Sequence, residues 1–278
     1  MKYILFIMLF LMLSCSKSNE AYVVEDKNIK MDTNENQSDR LFVTKNVPLP
    51  YDYELVRVIP KEPKAYTQGL LFHNGQLYES TGQYGRSSVR IVDHKTGKVL
   101  KTKKISPQYF GEGIAIINDK LYMLTWTSRT CFVFDPNSFK EIESFTYPSE
   151  GWGLADYGDK LIKSDGSYFL RIIDPETFRE EKAITVVLNG RPLTNLNELE
   201  YVNGLLYANI YMSDKIAVIE PETGEVLSII DFGTLRSYEE NNKDAEAFNG
   251  IAYNPATDTF YVTGKDWLNY FEVKLLFN

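Results

Sequence analysis

Histidine and cysteine are almost missing from this sequence: 278 residues hold two of each. His73 and His94 have no cysteine or second histidine at ligand spacing, which argues against a multi-histidine zinc centre. Basic clustering is missing too. The formal net charge is −8, from 30 Lys+Arg against 38 Asp+Glu, and no stretch of lysine and arginine is set to follow a phosphate backbone. Nucleic acid is thereby excluded as a partner. Proline is sparse at 11 residues while 44% of residues are hydrophobic, so a wholly disordered chain is excluded as well. Long apolar runs are missing with one exception, residues 3–13, which fall short of the roughly 20 residues that span a bilayer.

That run follows Met1 and Lys2 and leads into Ser14 and Cys15. A basic start, a short greasy stretch and a small residue before the cut describe a secretory signal. A cysteine directly after the small residue resembles a bacterial lipoprotein signal, in which that cysteine is lipidated and becomes the mature N-terminus; the alternative is an ordinary signal in which Cys15 has no role. The expected division is a signal peptide at 1–14, a lipidated Cys15 with a flexible polar tether at 15–40, and a folded catalytic domain at 41–278. The expected address is a bacterial cell envelope, periplasmic or on the outer-membrane surface, with contact to membrane through the lipid alone and a monomeric state. Cys131, inside the apolar run 131–134, reads as a buried core thiol rather than a nucleophile.

What is present is a repeat. Residues 68–72 lead through His73-Asn74-Gly75 into 76–80, and 112–116 lead through Asn118-Asp119 into 120–124. Trp152-Gly153-Leu154 leads through Gly158-Asp159 into 160–164, and 197–200 lead through Asn203-Gly204 into 205–209. Finally, 249–252 lead through 254–258 into 259–263. Each is a strand, a turn rich in Asn, Asp or Gly, and a second strand. A third strand follows, ending in Asp93, Asp135, Asp174 or Glu220 in four repeats, and a fourth strand closes the unit. The markers Leu77, Leu121, Leu161, Leu206 and Phe260 stand 44, 40, 45 and 54 residues apart. Four antiparallel strands at this period predict an all-β fold, a five-bladed β-propeller. Repeat five runs out after its third strand, so residues 54–59 are expected to join the last blade as its fourth strand and close the ring.

Propeller geometry stacks equivalent positions around the axis. The start of each first strand reads Gln68, Glu112, Trp152, Asn197, Asn249, and the end of each second strand reads Gly82, Trp126, Gly166, Tyr211, Lys265. A hairpin puts both rings on one face. A carboxylate, amides, a lysine and large aromatics at one mouth suit a small-ligand site better than structural filling. Glu198 and Glu200 read as buried structural partners, Asp165 as a turn cap, and the recurring Tyr78, Tyr122, Tyr207 and Tyr261 as packing between blades.

Eight segments occur in order: Tyr66-Thr67-Gln68-Gly69-Leu70, Glu79-Ser80-Thr81-Gly82, Phe110-Gly111-Glu112-Gly113, Leu124-Thr125-Trp126, Gly151-Trp152-Gly153-Leu154, Ser164-Asp165-Gly166-Ser167, Leu196-Asn197-Glu198-Leu199-Glu200 and Thr263-Gly264-Lys265. Together they resemble the plant-type glutaminyl cyclases (glutaminyl-peptide cyclotransferases), which also occur in bacteria, from about Leu55 to the C-terminus. The resemblance implies a five-bladed propeller, with Glu112 as the catalytic glutamate. It implies Gln68, Asn197 and Lys265 as polar substrate-binding residues, and Phe110, Trp126 and Trp152 as aromatic walls. Two positions depart: Tyr66 stands where Phe is usual, and Tyr211 where the family generally has Trp. The implied reaction converts the N-terminal glutamine of a peptide or protein into pyroglutamate and releases ammonia, with no cofactor required. A structural metal in the central channel is left open. The rival expectation is a non-catalytic propeller that binds peptides or glycans through the same mouth.

Overall fold

The turns decide how each repeat folds. Asn74-Gly75, Asn118-Asp119 and Asn203-Gly204 all have positive φ at both central positions, the geometry whose twist matches two flanking strands. In the computed structural model, which describes residues 48–278, five sheets follow one another along the chain, antiparallel throughout but for one parallel pairing of Val187 with Glu225. The expectations for residues 1–47, including the signal segment, Cys15 and the tether, lie outside the described residues. Blade 1 comprises Thr67–His73, Gln76–Thr81, Ser88–Val92 and Val99–Lys104, paired in that order. Blades 2, 3 and 4 repeat the pattern over 111–146, 154–185 and 196–231.

Blade 5 takes three strands from the C-terminus, Phe248–Asn254, Thr259–Gly264 and Asn269–Phe277, and its outer strand from Pro50–Pro60. Glu54 sits opposite Lys274 and Ile59 opposite Tyr270, so the two ends of the fold are joined by a ladder rather than left as open edges. The closure expected for residues 54–59 is therefore present, and the pairing strand is longer. Two additions break the repeat. A small hairpin, Val187–Leu188 with Arg191–Pro192, extends blade 4 to six strands. A 3-10 helix, Gly233–Glu239, lies between blades 4 and 5 and accounts for the long final spacing.

The core lies between blades. Tyr78, Val89 and Ile91 of blade 1 pack against Ile114, Leu121 and Met123 of blade 2. Tyr78, Tyr122, Tyr207 and Tyr261 are all buried, as is Cys131, whose thiol is pushed well up by burial. The acids closing the third strands hold turns: Asp93 Oδ1 accepts from the backbone N–H of Lys95 and Thr96, Asp135 from Ser138 and Asp174 from Thr177. In blade 4 the Gly224 N–H bonds to the Glu220 carbonyl instead.

Candidate active site

Four of the five inner strands begin with a break in register. The breaks fall between Thr67 and Gly69, Gly111 and Ile114, Leu196 and Leu199, and Phe248 and Ile251. They enclose Gln68, Glu112, Asn197 and Asn249, four of the five residues of the first predicted ring. A bulge re-aims the side chain it carries, and here three of the four are turned into the axial mouth. Tyr66, Gln68, Phe110, Glu112, Trp126, Trp152, Asn197, Tyr211 and Lys265 line one cavity of about 230 Å³.

Asn249 departs from the expected ring. It is fully buried, and its Nδ2 donates to the carbonyls of Thr67 and Gln68 at 3.2 and 3.3 Å, so it ties blade 5 to blade 1 behind the cavity. The cavity also holds a residue that the ring logic missed, Gln83, in the loop after the second strand of blade 1. The two glycines of the second ring make space. A Cβ at Gly82 would stand 2.3 Å from the Phe110 ring, and one at Gly166 would stand 2.6 Å from the Trp152 ring.

Glu112 is the one carboxylate lining the cavity. It is 4% exposed, and its pKa is raised well above the ordinary value, by burial first, against the Lys265 ammonium, with a further push from the Glu150 charge. Lys265 is lowered by burial, opposed by Glu112 and then Glu246. Its ammonium lies 5.2 Å from the ring centre of Tyr66 and 4.9 Å from that of Tyr211. A bridge between Tyr66 and Lys265 joins blade 1 to blade 5 at this point. Gln68 Oε1 and Asn197 Oδ1 are buried with no protein partner, a costly arrangement that suits a waiting ligand.

The walls interlock. Phe110 meets Trp126 at 5.6 Å and Tyr66 at 6.0 Å between ring centres, and Trp152 meets Tyr211 edge-on at 5.5 Å. Behind them stand two carboxylates that sequence reasoning missed. Tyr66 Oη donates to Glu246 Oε2 at 2.7 Å, and both indole N–H groups donate to Glu150. Glu198 and Glu200 face elsewhere. Glu198 accepts from the N–H of Leu70 and Ile251, and Glu200 from that of Tyr253. Asp165 caps its turn through Ser167 and pairs with Arg171 at 2.8 Å. Among the described residues, no group of three or more His, Cys, Asp or Glu is arranged to hold a metal ion.

The site is thus a small axial cavity of a closed propeller, holding one buried carboxyl, one desolvated lysine and two unpartnered amides. The cavity falls below the roughly 300–1,000 Å³ of larger ligand sites, so it suits a single residue-sized group. The comparisons with known proteins are specific. A model of the glutamine cyclotransferase family matches residues 27–275. Over 231 residues the chain is 39% identical to the glutaminyl-peptide cyclotransferase of Arabidopsis thaliana, covering 81% of this chain and 71% of that protein. Among solved structures, Myxococcus xanthus glutaminyl cyclase is similar with a TM-score of 0.76 and 34% identity, covering 83% of this chain and 100% of that one. The chain belongs to the glutamine cyclotransferase family and is an enzyme of that family.

Proposed function

We propose that the enzyme cyclises the N-terminal glutamine of peptides and proteins to pyroglutamate, with Glu112 as the catalytic proton shuttle. The observation that carries this reading is a single buried carboxyl in a cavity that admits one folded side chain, faced by a lysine and two unpartnered amides. The α-amine and the side-chain amide belong to the same residue, so confinement in the bent shape is the main requirement. The α-amine of a peptide has a pKa of about 7.7–8.0, which leaves a useful neutral fraction near pH 7.

Attack forms a bond from the α-nitrogen to the amide carbon. The bond from that carbon to the amide nitrogen then breaks, and ammonia leaves. Glu112 takes one proton from the attacking amine and returns one to the departing nitrogen, so protons balance. Its raised pKa suits both halves of that task. The developing negative charge on the amide oxygen needs a donor, and Lys265, Gln68 and Asn197 supply the polar groups of the cavity. Phe110, Trp126, Trp152, Tyr66 and Tyr211 exclude water and pack on the folded side chain. The scheme needs no cofactor.

The same reading puts the enzyme in a bacterial cell envelope as a monomer anchored through lipid at Cys15, supported by the apolar run 3–13 ahead of Ser14-Cys15. Mass spectrometry of the mature N-terminus, expected to show a lipidated Cys15, tests the anchor. The activity is tested by ammonia release from a Gln-initiated dipeptide. Glu112→Gln is expected to lower kcat by about 10²–10⁴-fold while dipeptide binding persists. A folded Glu112→Gln variant with parental turnover would remove Glu112 from the chemistry.

A further inference from the structure

The two indole walls come from different blades, yet their nitrogens meet on one atom. Trp126 follows the second strand of blade 2, and Trp152 enters blade 3. Trp126 Nε1 donates to Glu150 Oε2 at 2.7 Å, and Trp152 Nε1 donates to the same oxygen at 3.0 Å. Glu150 is half-buried and stands outside the cavity lining. It sits in the link from Glu141–Thr146, the outer strand of blade 2, to Leu154–Tyr157, the inner strand of blade 3.

That link is itself held in place. The Lys163 ammonium donates to the Glu150 carbonyl and to Ser149 Oγ, each at 2.8 Å. A Cβ at the next residue, Gly151, would stand 2.3 Å from the Tyr147 hydroxyl of the same link and 3.2 Å from Leu124 of blade 2, so the chain packs closely there. Lys163 thus supports the backbone of residue 150 and leaves its carboxylate to the indoles.

We propose that Glu150 is a positioning residue for the cyclisation, setting the spacing and tilt of Trp126 and Trp152 through one shared oxygen. The proposal rests on the cyclisation reading above. Bonds from N–H groups to an ionised acceptor are roughly twice as strong as neutral ones. Two such bonds to one atom couple the indoles, so neither ring swings without straining the other. A slot that folds a glutamine back on itself depends on that separation, since a misplacement of about 1 Å is enough to cost roughly 10²-fold in rate. The charge of Glu150 also acts on Glu112, with a definite sign. The charged groups facing Glu112 are the Lys265 ammonium, which holds its pKa down, and Glu150, which pushes it up; the phenols of Tyr66 and Tyr147 also feel its charge. The charged groups facing Glu150 are Glu112 and, on its carbonyl side, Lys163.

Three readouts on the full chain test this: kcat and KM for a Gln-initiated dipeptide across pH, and tryptophan emission without ligand. Glu150→Gln keeps an acceptor oxygen and removes the charge. It is expected to move the enzyme-dependent limb of the kcat/KM profile to lower pH, the dipeptide amine being the same in both proteins. Glu150→Ala removes the acceptor as well. It is expected to lower kcat/KM by about ten-fold to a hundred-fold and to shift the emission, since two of the three tryptophans lose their bond. Parental kcat, KM and pH limb in both variants would overturn the proposal. If Glu150→Ala fails to fold, the Gln variant decides alone, and parental kcat, KM and pH limb in it overturn the proposal. If the parent itself releases no ammonia, the cyclisation reading fails instead. Emission then still decides whether Glu150 holds the indoles: a shift supports that role and an unchanged spectrum ends it.

Discussion

At the scale of single residues, the site is a set of mutual perturbations rather than a set of independent groups. Burial raises Glu112 and lowers Lys265, and each opposes the shift of the other. Removing the lysine therefore has a predictable sign. In Lys265→Met the carboxylate loses its cationic neighbour, so its pKa rises further and the enzyme-dependent limb of kcat/KM moves to higher pH. That shift is opposite to the one expected for Glu150→Gln, and a pH series on the same dipeptide distinguishes the two. Tyr211 belongs to the same set. Its ring holds the Lys265 ammonium at 4.9 Å and meets Trp152 edge-on, so a position at which the family generally has Trp still supplies an aromatic face. Trp is the strongest cation–π partner, worth about 0.5–2 kcal/mol depending on desolvation. Tyr211→Trp is expected to preserve turnover, whereas Tyr211→Ala loosens both Lys265 and Trp152 and raises KM, as steady-state kinetics would show.

At the scale of strands and loops, bulges aim the polar residues and glycines admit the rings. Gly82 illustrates the second device. A Cβ there meets two atoms of the Phe110 ring at 2.3 and 2.8 Å and Gln68 Cγ at 3.0 Å, so Gly82→Ala pushes one or both into the cavity. The expected result is a raised KM, with a stability loss of about 1–3 kcal/mol measured by denaturant unfolding. Glu198 shows the opposite case, a carboxylate used purely as a joint. It bonds the N–H of Leu70 at 3.0 Å and of Ile251 at 2.7 Å, linking blade 4 to blades 1 and 5 from a fully buried position. Glu198→Ala leaves two buried donors unpaired and is expected to cost about 3 kcal/mol or more in unfolding free energy.

This scale also separates what the sequence discloses from what it conceals. Gln68, Glu112, Trp152, Asn197, Trp126, Tyr211 and Lys265 recur at equivalent strand ends, so counting along hairpins is enough to gather them. Asn249 obeys the same count, yet its amide turns to backbone carbonyls, because a repeat fixes a position and not a rotamer. Gln83, Glu150 and Glu246 lie in connections between strands, where no period exists to mark them. Glu246 has an indirect signal. It follows the 3-10 helix that lengthens the last repeat to 54 residues, and that added chain carries it to the Tyr66 hydroxyl.

For the molecule as a whole, the decisive feature is that the ring closes beside the site. Lys61 directly follows the closing strand Pro50–Pro60 and is fully buried. Its ammonium donates to the carbonyls of Ala65 at 3.0 Å and Gly264 at 2.7 Å, the residues that precede Tyr66 and Lys265. It also stands 3.7 Å from the buried Glu79 carboxylate. Closure of the fold and alignment of two cavity residues are thus one event. Burial pulls Lys61 down to about 8, with Glu79 opposing, and burial pulls Lys163 to about 8 as well.

An unfolded lysine keeps its proton to about 10.4, so between pH 8 and 10 the unfolded chain binds more protons than the fold does. Each such lysine therefore contributes stability that rises with pH across that window, by up to about 1.4 kcal/mol per pH unit, while the buried Cys131 thiol contributes in the opposite direction. Lys61→Met removes one of these contributions and also leaves Glu79 with less compensation. Urea unfolding at pH 7.5, 8.5 and 9.5 is expected to show a lower midpoint for Lys61→Met at every pH, and a change with pH that is less positive than in the parent. A parental slope in the variant would mean that Lys61 is not the group releasing its proton, and that the seam owes its strength to the strand ladder alone.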